Sequence, residues 1–248
     1  MLKAGIYVDA ANVQRCGGWS MRYEVLRKFV MAQDAHVLRA NTYIPIDEEK
    51  EEQDHEYAIK NQTYRAAVRA AGFKIIPKAV RRYRAADGTE TMTANADLDL
   101  GIDAVVQARE LDYVVIVSGD SDFIRAVQAI QDAGCRVDIV GFHNVSRNLK
   151  ETADNFISGF VIPGLIPADQ NRRRGYFGAI DTTRNFAFVS CFKVFDLHDT
   201  EDVYLNGRDL DNAPPNAWMK LKLSHAVVEF EQVENEKGLR AVKASILE

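Results

Sequence analysis

The sequence predicts an α/β fold, a doubly wound and mostly parallel sheet, with a small all-β barrel or sandwich after it. Three observations predict this. Up to about residue 163, short apolar runs alternate with segments of helical spacing, the pattern of parallel strands joined by right-handed crossovers. Runs such as "DYVVIVSG" are apolar almost throughout, so their sheet must be covered on both faces. Beyond residue 174 the segments become short and aromatic-rich, as five strands of a barrel or sandwich would be.

Taken in order, "AGIYVDA" is a strand and "SMRYEVLRKFVMAQ" a helix. "HVLRANTYIPI" is the next strand. "EEQDHEYAIKNQTYRAAVRAAG" reads as one long helix, with an acidic first turn that suits the helix dipole and Gly72 as its C-cap. "FKIIPKAV" is a strand and "ADLDLGIDAVVQARE" a helix. "DYVVIVSG" and "CRVDIVGF" are strands flanking the helix "DSDFIRAVQAIQDAG". "IPGLIPADQNRRRG", with its prolines, glycines and three consecutive arginines, reads as a linker. The closing strands are "YFGAID", "NFAFVSCF", "DVYLNG", "LSHAVVEFEQV" and "GLRAVKASIL". The expected domains are therefore residues 1–163 and 175–248, with residues 164–174 between them.

Composition narrows the class. The chain has 248 residues, 47% hydrophobic and 27% charged, which suits one large or two modest domains. No apolar run approaches the roughly 20 residues that span a bilayer. The start, "MLKAGIYVDAANV", lacks the pattern of a signal peptide. Cys16, Cys135 and Cys191 are scattered and form no CxxC pair, which points away from zinc and toward a reducing cytoplasm. The net charge of −5 counts against a general electrostatic nucleic-acid binder, so local patches must carry any such contact. No GxGxxG follows a strand, so dinucleotide binding has no support.

The acids at strand ends carry the chemistry. Open α/β sheets bind ligands beyond the C-terminal ends of their strands, where the strand order reverses. Asp9 ends the first strand, with Asn12 three residues on; Asp120 and Asp122 end another. Asp97, Asp99 and Asp103 lie at or near the start of a helix that follows a basic loop. Each has a plain structural explanation. Asp120 can cap a helix and Asp122 can favour its dipole, while Asp99 and Asp103, four apart, share a helix face that is more often solvated. The run "DEEKEEQDHE" is a solvated helix start. Capping does not, however, ask for carboxylates at two separate strand ends with a third supply between them. If those strands are neighbours the acids converge, and only a cation makes such a cluster tolerable. Oxygen ligands suit Mg²⁺ or Mn²⁺.

"YVDAANV", "ADLDLGIDAVV" and "VIVSGDSDFIRAVQAIQDAGCRVDIVGF", in that order, resemble NYN domains, the LabA-like branch of the PIN-type nucleases, over about residues 4–162. The resemblance implies a metal-dependent ribonuclease. It makes Asp9 the first-strand acid, Asn12 the asparagine after it, Asp97 the acid opening the middle helix, and Asp120 and Asp122 the acids after the fourth strand. Asp103 matches a further helix acid. Where members often carry Lys-Gly before the middle acid, this chain has Ala94-Asn95, so Lys78 or Arg81 would have to supply the missing cation. In the chemistry expected, Asp9, Asp97 and Asp120 bind the metal directly, Asp122 binds a second ion or a water of the first, and Asn12 orients a ligand or the substrate. Residues 74–84 hold Lys74, Lys78, Arg81, Arg82 and Arg84 with no acid, either a phosphate-backbone track or an ordinary solvated loop.

In the small β module, Phe186 and Phe188 point one way along their strand, and Tyr204 and Asn206 share a face of theirs. They form either a base-stacking platform or barrel filling. "RGYFGAID", "RNFAFV" and "DVYLN" resemble the first strand and the two RNA-binding motifs of a cold-shock-type OB fold, which implies a small all-β OB-like barrel with stacking by Phe186, Phe188 and Tyr204, and with Asn206 where a histidine is usual. From residue 170 on, eleven Lys and Arg face twelve Asp and Glu, so stacking would have to dominate binding. The leading expectation is a cytoplasmic Mg²⁺- or Mn²⁺-dependent ribonuclease acting on single-stranded RNA. Its rivals are a non-catalytic RNA-binding adaptor that retains the nuclease fold and, last, a phosphatase of small metabolites.

Overall fold

The computed structural model describes residues 1–84, 90–93, 96–168, 171–236 and 238–247, with the backbone alone for 81–84 and 90–93. The chain divides into two compact units, Met1–Phe156 and Ile157–Glu248. The elements run β1 (Leu2–Asp9), α1 (Ala10–Val13), α2 (Tyr23–Met31), β2 (Ala35–Ile46), α3 (Glu48–Gln53), α4 (His55–Ala70), β3 (Lys74–Ala79), β4 (Arg81–Arg84), β5 (Glu90–Thr93) and α5 (Asp97–Gln107). They continue with β6 (Tyr113–Val117), α6 (Ile124–Asp132), β7 (Arg136–Gly141), α7 (Arg147–Thr152) and β8 (Asn155–Ser158).

The large sheet has the order β3-β2-β1-β6-β7-β8. The pairs β1–β2, β2–β3, β1–β6 and β6–β7 are parallel. From β1 the chain moves outward to β2 and β3, then returns to lay β6 on the other side of β1, so the strand order reverses between β1 and β6. All five residues of β6 are fully buried, as its unbroken apolar sequence requires. Leu100 and Ala104 of α5 and Val127 and Ile130 of α6 join Ile116 and Ile139 in the core cluster on this sheet.

Two local expectations are corrected. The single long helix breaks at Asp54, which caps α4 by accepting from Tyr57 N at 3.0 Å, while Asp47 caps α3 through Lys50 N at 3.1 Å. Two side-chain caps within eight residues make two helices cheaper than one. In the basic strip β3 runs from Lys74 to Ala79, the strand expected of "FKIIPKAV", but Arg81–Arg84, expected as loop, form a strand paired antiparallel with β5. The side chains of Arg81, Arg82 and Arg84, and the Ala94-Asn95 pair, lie outside the described residues.

The second unit contains a closed barrel of β9 (Arg172–Asp181), β10 (Phe186–Phe192), β11 (Thr200–Asn206), β12 (Val227–Asn235) and β13 (Gly238–Ile246), in the order β10-β11-β13-β12-β9. The three arginines expected in the linker are strand residues, because β9 stays paired with β12 as far as Arg172↔Glu231. A further helix, α8 (Trp218–Leu223), was not expected. Its Trp218 is fully buried, donates from Nε1 to the Ala213 carbonyl at 3.1 Å, and stacks on Phe177 at 5.9 Å between ring centroids. An indole goes inside only when its N–H finds a partner, as here.

Candidate active site

β1 and β6 lie side by side with Val8 opposite Val117, so the next residues, Asp9 and Ser118, follow together at the switch point, Asp9 still paired with Tyr43 of β2. Four hydrogen bonds lock this edge. Asp9 Oδ1 accepts from Asn12 N at 3.0 Å and its Oδ2 from Ser118 Oγ at 3.3 Å. Asn12 Oδ1 accepts from Gly119 N at 2.9 Å, tying the turn after β1 to the turn after β6. Ser118 Oγ in turn accepts from Asp120 N at 3.3 Å. A Cβ at Gly119 would crowd Val145, at 3.1 Å from its Cα and 3.2 Å from its Cγ2, and Ser146 N donates to the Gly119 carbonyl at 2.9 Å, so glycine lets the two turns approach closely.

Asp120 caps a 3-10 turn, Ser121–Phe123, by accepting from Asp122 N at 3.1 Å. The capping role and the clustering are thus compatible. Asp97 begins α5, and one carboxylate oxygen from each of Asp97, Asp120 and Asp122 lies within 4.8 Å of the others. Asp9 is not a member of this triad, and it is the most buried of the acids at 2% exposed. Burial pushes its carboxyl up, against the opposing pull of the Asn12 N–H and the Ser118 hydroxyl. Asp97 is pushed up to about 6 by burial and then by the charges of Asp9, Asp120 and Asp122. Asp97 therefore feels the other three acids, although only Asp120 and Asp122 share a ligand-sized space with it.

Asp103 stands apart. It accepts from the Tyr43 hydroxyl at 2.6 Å and so joins α5 to β2. Lys78 is paired with Asp99, two residues beyond Asp97, so its charge is brought close to the mouth but is already partly neutralised. Two residues that the sequence reading did not single out matter here. Ser118 links Asp9 to the Asp120 backbone, and its position before Gly119-Asp120 was the available signal. Arg15 is a cation whose field lowers both Asp9 and Asp97; a reading tuned to carboxylates passed over it. A groove of about 540 Å³ between α5 and α6 shares Asp97 and Asp122 with the triad and is otherwise lined largely by apolar side chains such as Leu98, Ile102, Val106 and Phe123.

On the barrel, the alternation is clean. Ala187, Val189, Val203 and Leu205 are buried inside, while Phe186, Phe188, Tyr204 and Asn206 are half-buried on the outer face. Phe186 pairs across the strands with Asn206, and Phe188 with Tyr204. Phe186 and Tyr204 stack at 5.7 Å, and Phe188 meets each of them edge-on at 5.9 and 6.0 Å. Asn206 donates to the Tyr204 hydroxyl at 3.3 Å and caps the next turn through Arg208 N at 3.0 Å.

A parallel sheet in this order with carboxylates gathered at its switch point defines a PIN-like α/β protein. The chain belongs to the NYN domain family, whose model matches residues 3–165. It is 24% identical over 162 residues to the low amplitude and bright protein LabA of Synechococcus elongatus, covering 62% of this chain and 82% of that one. A crystal structure of a protein of unknown function from Vibrio parahaemolyticus is 28% identical and covers 63% of this chain and 92% of its own, with a TM-score of 0.51. Membership of the NYN family implies a nuclease, and the triad is compatible with one. No helix among the described residues is long and apolar enough to cross a membrane.

Proposed function

We propose that this protein is a Mg²⁺- or Mn²⁺-dependent ribonuclease that hydrolyses single-stranded RNA, cutting at the mouth between β1 and β6 and holding the strand on the outer face of the barrel. The observation that carries the reading is the convergence of Asp97, Asp120 and Asp122 from two distant stretches of chain. The donor chemistry fits a hard divalent cation: three carboxylate oxygens lie within 4.8 Å of one another, and burial and the neighbouring carboxylates push Asp97 up. A bound divalent ion supplies Lewis-acid polarisation of the phosphoryl group and a more acidic water.

Asp97, Asp120 and Asp122 hold the ion in this scheme. Asp122, the exposed member, faces the solvent from which the attacking water is drawn. Asp9 keeps the mouth in shape through Asn12 and Ser118 and adds its charge from behind. Arg15 offers a positive charge to the phosphate once the acids are neutralised. The apolar groove beside the triad takes the sugar and base next to the scissile phosphate. Phe186, Phe188 and Tyr204 stack bases in the manner of a cold-shock domain, an arrangement that tolerates the balanced charge of this region.

The test is incubation of the purified chain with labelled RNA, single-stranded or duplex, with and without Mn²⁺, beside Asp120→Asn. The reading expects Mn²⁺-dependent cleavage of the single strand and none by the variant. Cleavage that survives Asp120→Asn overturns the site, and equal cutting of duplex RNA overturns the strand preference.

A further inference from the structure

The three arginines at the start of β9 create an imbalance that the proposed nuclease does not use. Arg172 and Arg174 lie on one face of the strand and share a single carboxylate. Arg174 Nε donates to Glu229 Oε2 at 2.7 Å, and Arg172 Nε lies 3.1 Å from Glu229 Oε1. Among the described residues, two guanidinium groups against one carboxylate leave one positive charge over. The three side chains are only 26%, 12% and 15% exposed for Arg172, Arg174 and Glu229. Arg173 is balanced separately by Glu201 at 2.6 Å and by Gln232.

Two nitrogens of the pair are also unsatisfied. Arg174 Nη1 and Arg172 Nε are buried and make no hydrogen bond among the described residues, the contact of Arg172 Nε with Glu229 being an ion pair without hydrogen-bond geometry. A buried donor without an acceptor is costly, and a half-buried surplus charge more so. All three arginines line a partly open cavity of about 210 Å³, together with Phe160, Ile162 and Phe192. The Arg174 guanidinium is held 5.6 Å above the Phe160 ring, which fixes its plane.

We propose that this cavity is an anion site that binds a phosphate group, with Arg172 and Arg174 as its donors. The planar fork of an arginine matches phosphate oxygens, and a tetrahedral oxyanion supplies both the missing charge and the missing acceptors. The phosphate can come from solution or from an RNA strand, and the test separates the two.

Full-length protein is titrated with inorganic phosphate by calorimetry, beside Arg174→Lys and Arg172→Gln, with circular dichroism to establish that each variant is folded. Arg174→Lys keeps the charge but loses the fork, so phosphate binding should weaken about tenfold, and Glu229→Gln should strengthen it by removing the competing carboxylate. The parent and folded variants are then titrated, without Mn²⁺, with one oligoribonucleotide carrying either a 5′-phosphate or a 5′-hydroxyl. Tighter binding of the phosphorylated form that is lost in the arginine variants assigns the site to a strand terminus. Equal weakening of both forms assigns it to backbone phosphate. Oligonucleotide binding that the variants leave unchanged, beside a phosphate response that they abolish, assigns it to free phosphate. A parent that does not bind phosphate at millimolar concentration, or folded arginine variants that bind it as the parent does, overturn the proposal.

Discussion

The mouth of the sheet and the outer face of the barrel solve opposite problems. At the mouth, Asp97, Asp120 and Asp122 crowd together, and burial and then the neighbouring charges push Asp97 up to about 6, so at neutral pH the folded chain carries repulsion that a bound cation would relieve. On the barrel, Phe186, Phe188 and Tyr204 already satisfy one another by ring contacts within about 6 Å. The contrast teaches which site is costly without its ligand. A cluster of like charges is hard to explain by stability alone, whereas an aromatic face stabilises its own barrel and is the weaker evidence of function.

The largest effect should come from the mouth. Asp120→Asn keeps the cap, since asparagine caps as well as aspartate, but removes a ligand charge. Its Mn²⁺-dependent cleavage rate should fall by more than the roughly 10–100-fold that even outer partners of a metal site cost. Its affinity for RNA, measured in EDTA, should match that of the parent. The double variant Phe186→Ala, Phe188→Ala should do the reverse. Binding should weaken by about 1–3 kcal/mol per lost stack, while the cleavage rate at saturating RNA persists. If both variants fail in the same assay, the contrast between the regions collapses.

The pH response sharpens it further. Asp97 is raised in the fold, so below its unfolded value near 4 its contribution to stability is fully present, and that contribution is lost as the pH rises through about 6. Ion-free protein should therefore melt at lower temperature at pH 7 than at pH 5 through this group, and added Mn²⁺ should restore the difference at pH 7. Because the ion displaces the proton, Mn²⁺ affinity by calorimetry should fall about tenfold per unit below pH 6. An affinity flat from pH 7 to 5 would remove Asp97 from the ligand set.

Smaller effects test the scaffold. Asn12→Ala strips the buried Gly119 N–H of its acceptor and should cost about 1–3 kcal/mol in denaturant melts. Lys78→Ala breaks only a partly exposed pair with Asp99 and should cost about 0–1 kcal/mol, less in high salt.

Much of this was legible in the sequence, for identifiable reasons. The unbroken apolar run of β6 announced a strand buried on both faces, and the alternation in β10 and β11 separated Phe186 and Phe188 from Ala187 and Val189. Asp54 was overlooked as a helix boundary because the charged run around it, residues 47–56, contains no glycine or proline to mark a break, whereas its carboxylate works over only three residues. The start of β9 was misread as linker because three arginines look solvated until Glu201, Glu229 and Gln232 of other strands are brought against them. Trp218 gave no strand signal because it belongs to a helix.

Residue pattern by itself determined which segments are strands or helices and which acids stand at their ends, because side-chain periodicity and capping are local and act within a few positions. Only the tertiary structure decided that β1 and β6 are neighbours, that Asp97 joins Asp120 and Asp122 while Asp103 turns to Tyr43, and that Asp9 sits behind them, held by Asn12 and Ser118. Those choices depend on which strands pair and how helices pack on them. The Asp9–Ser118 contact spans 109 positions of chain and the Tyr43–Asp103 contact 60, and no local window contains both partners.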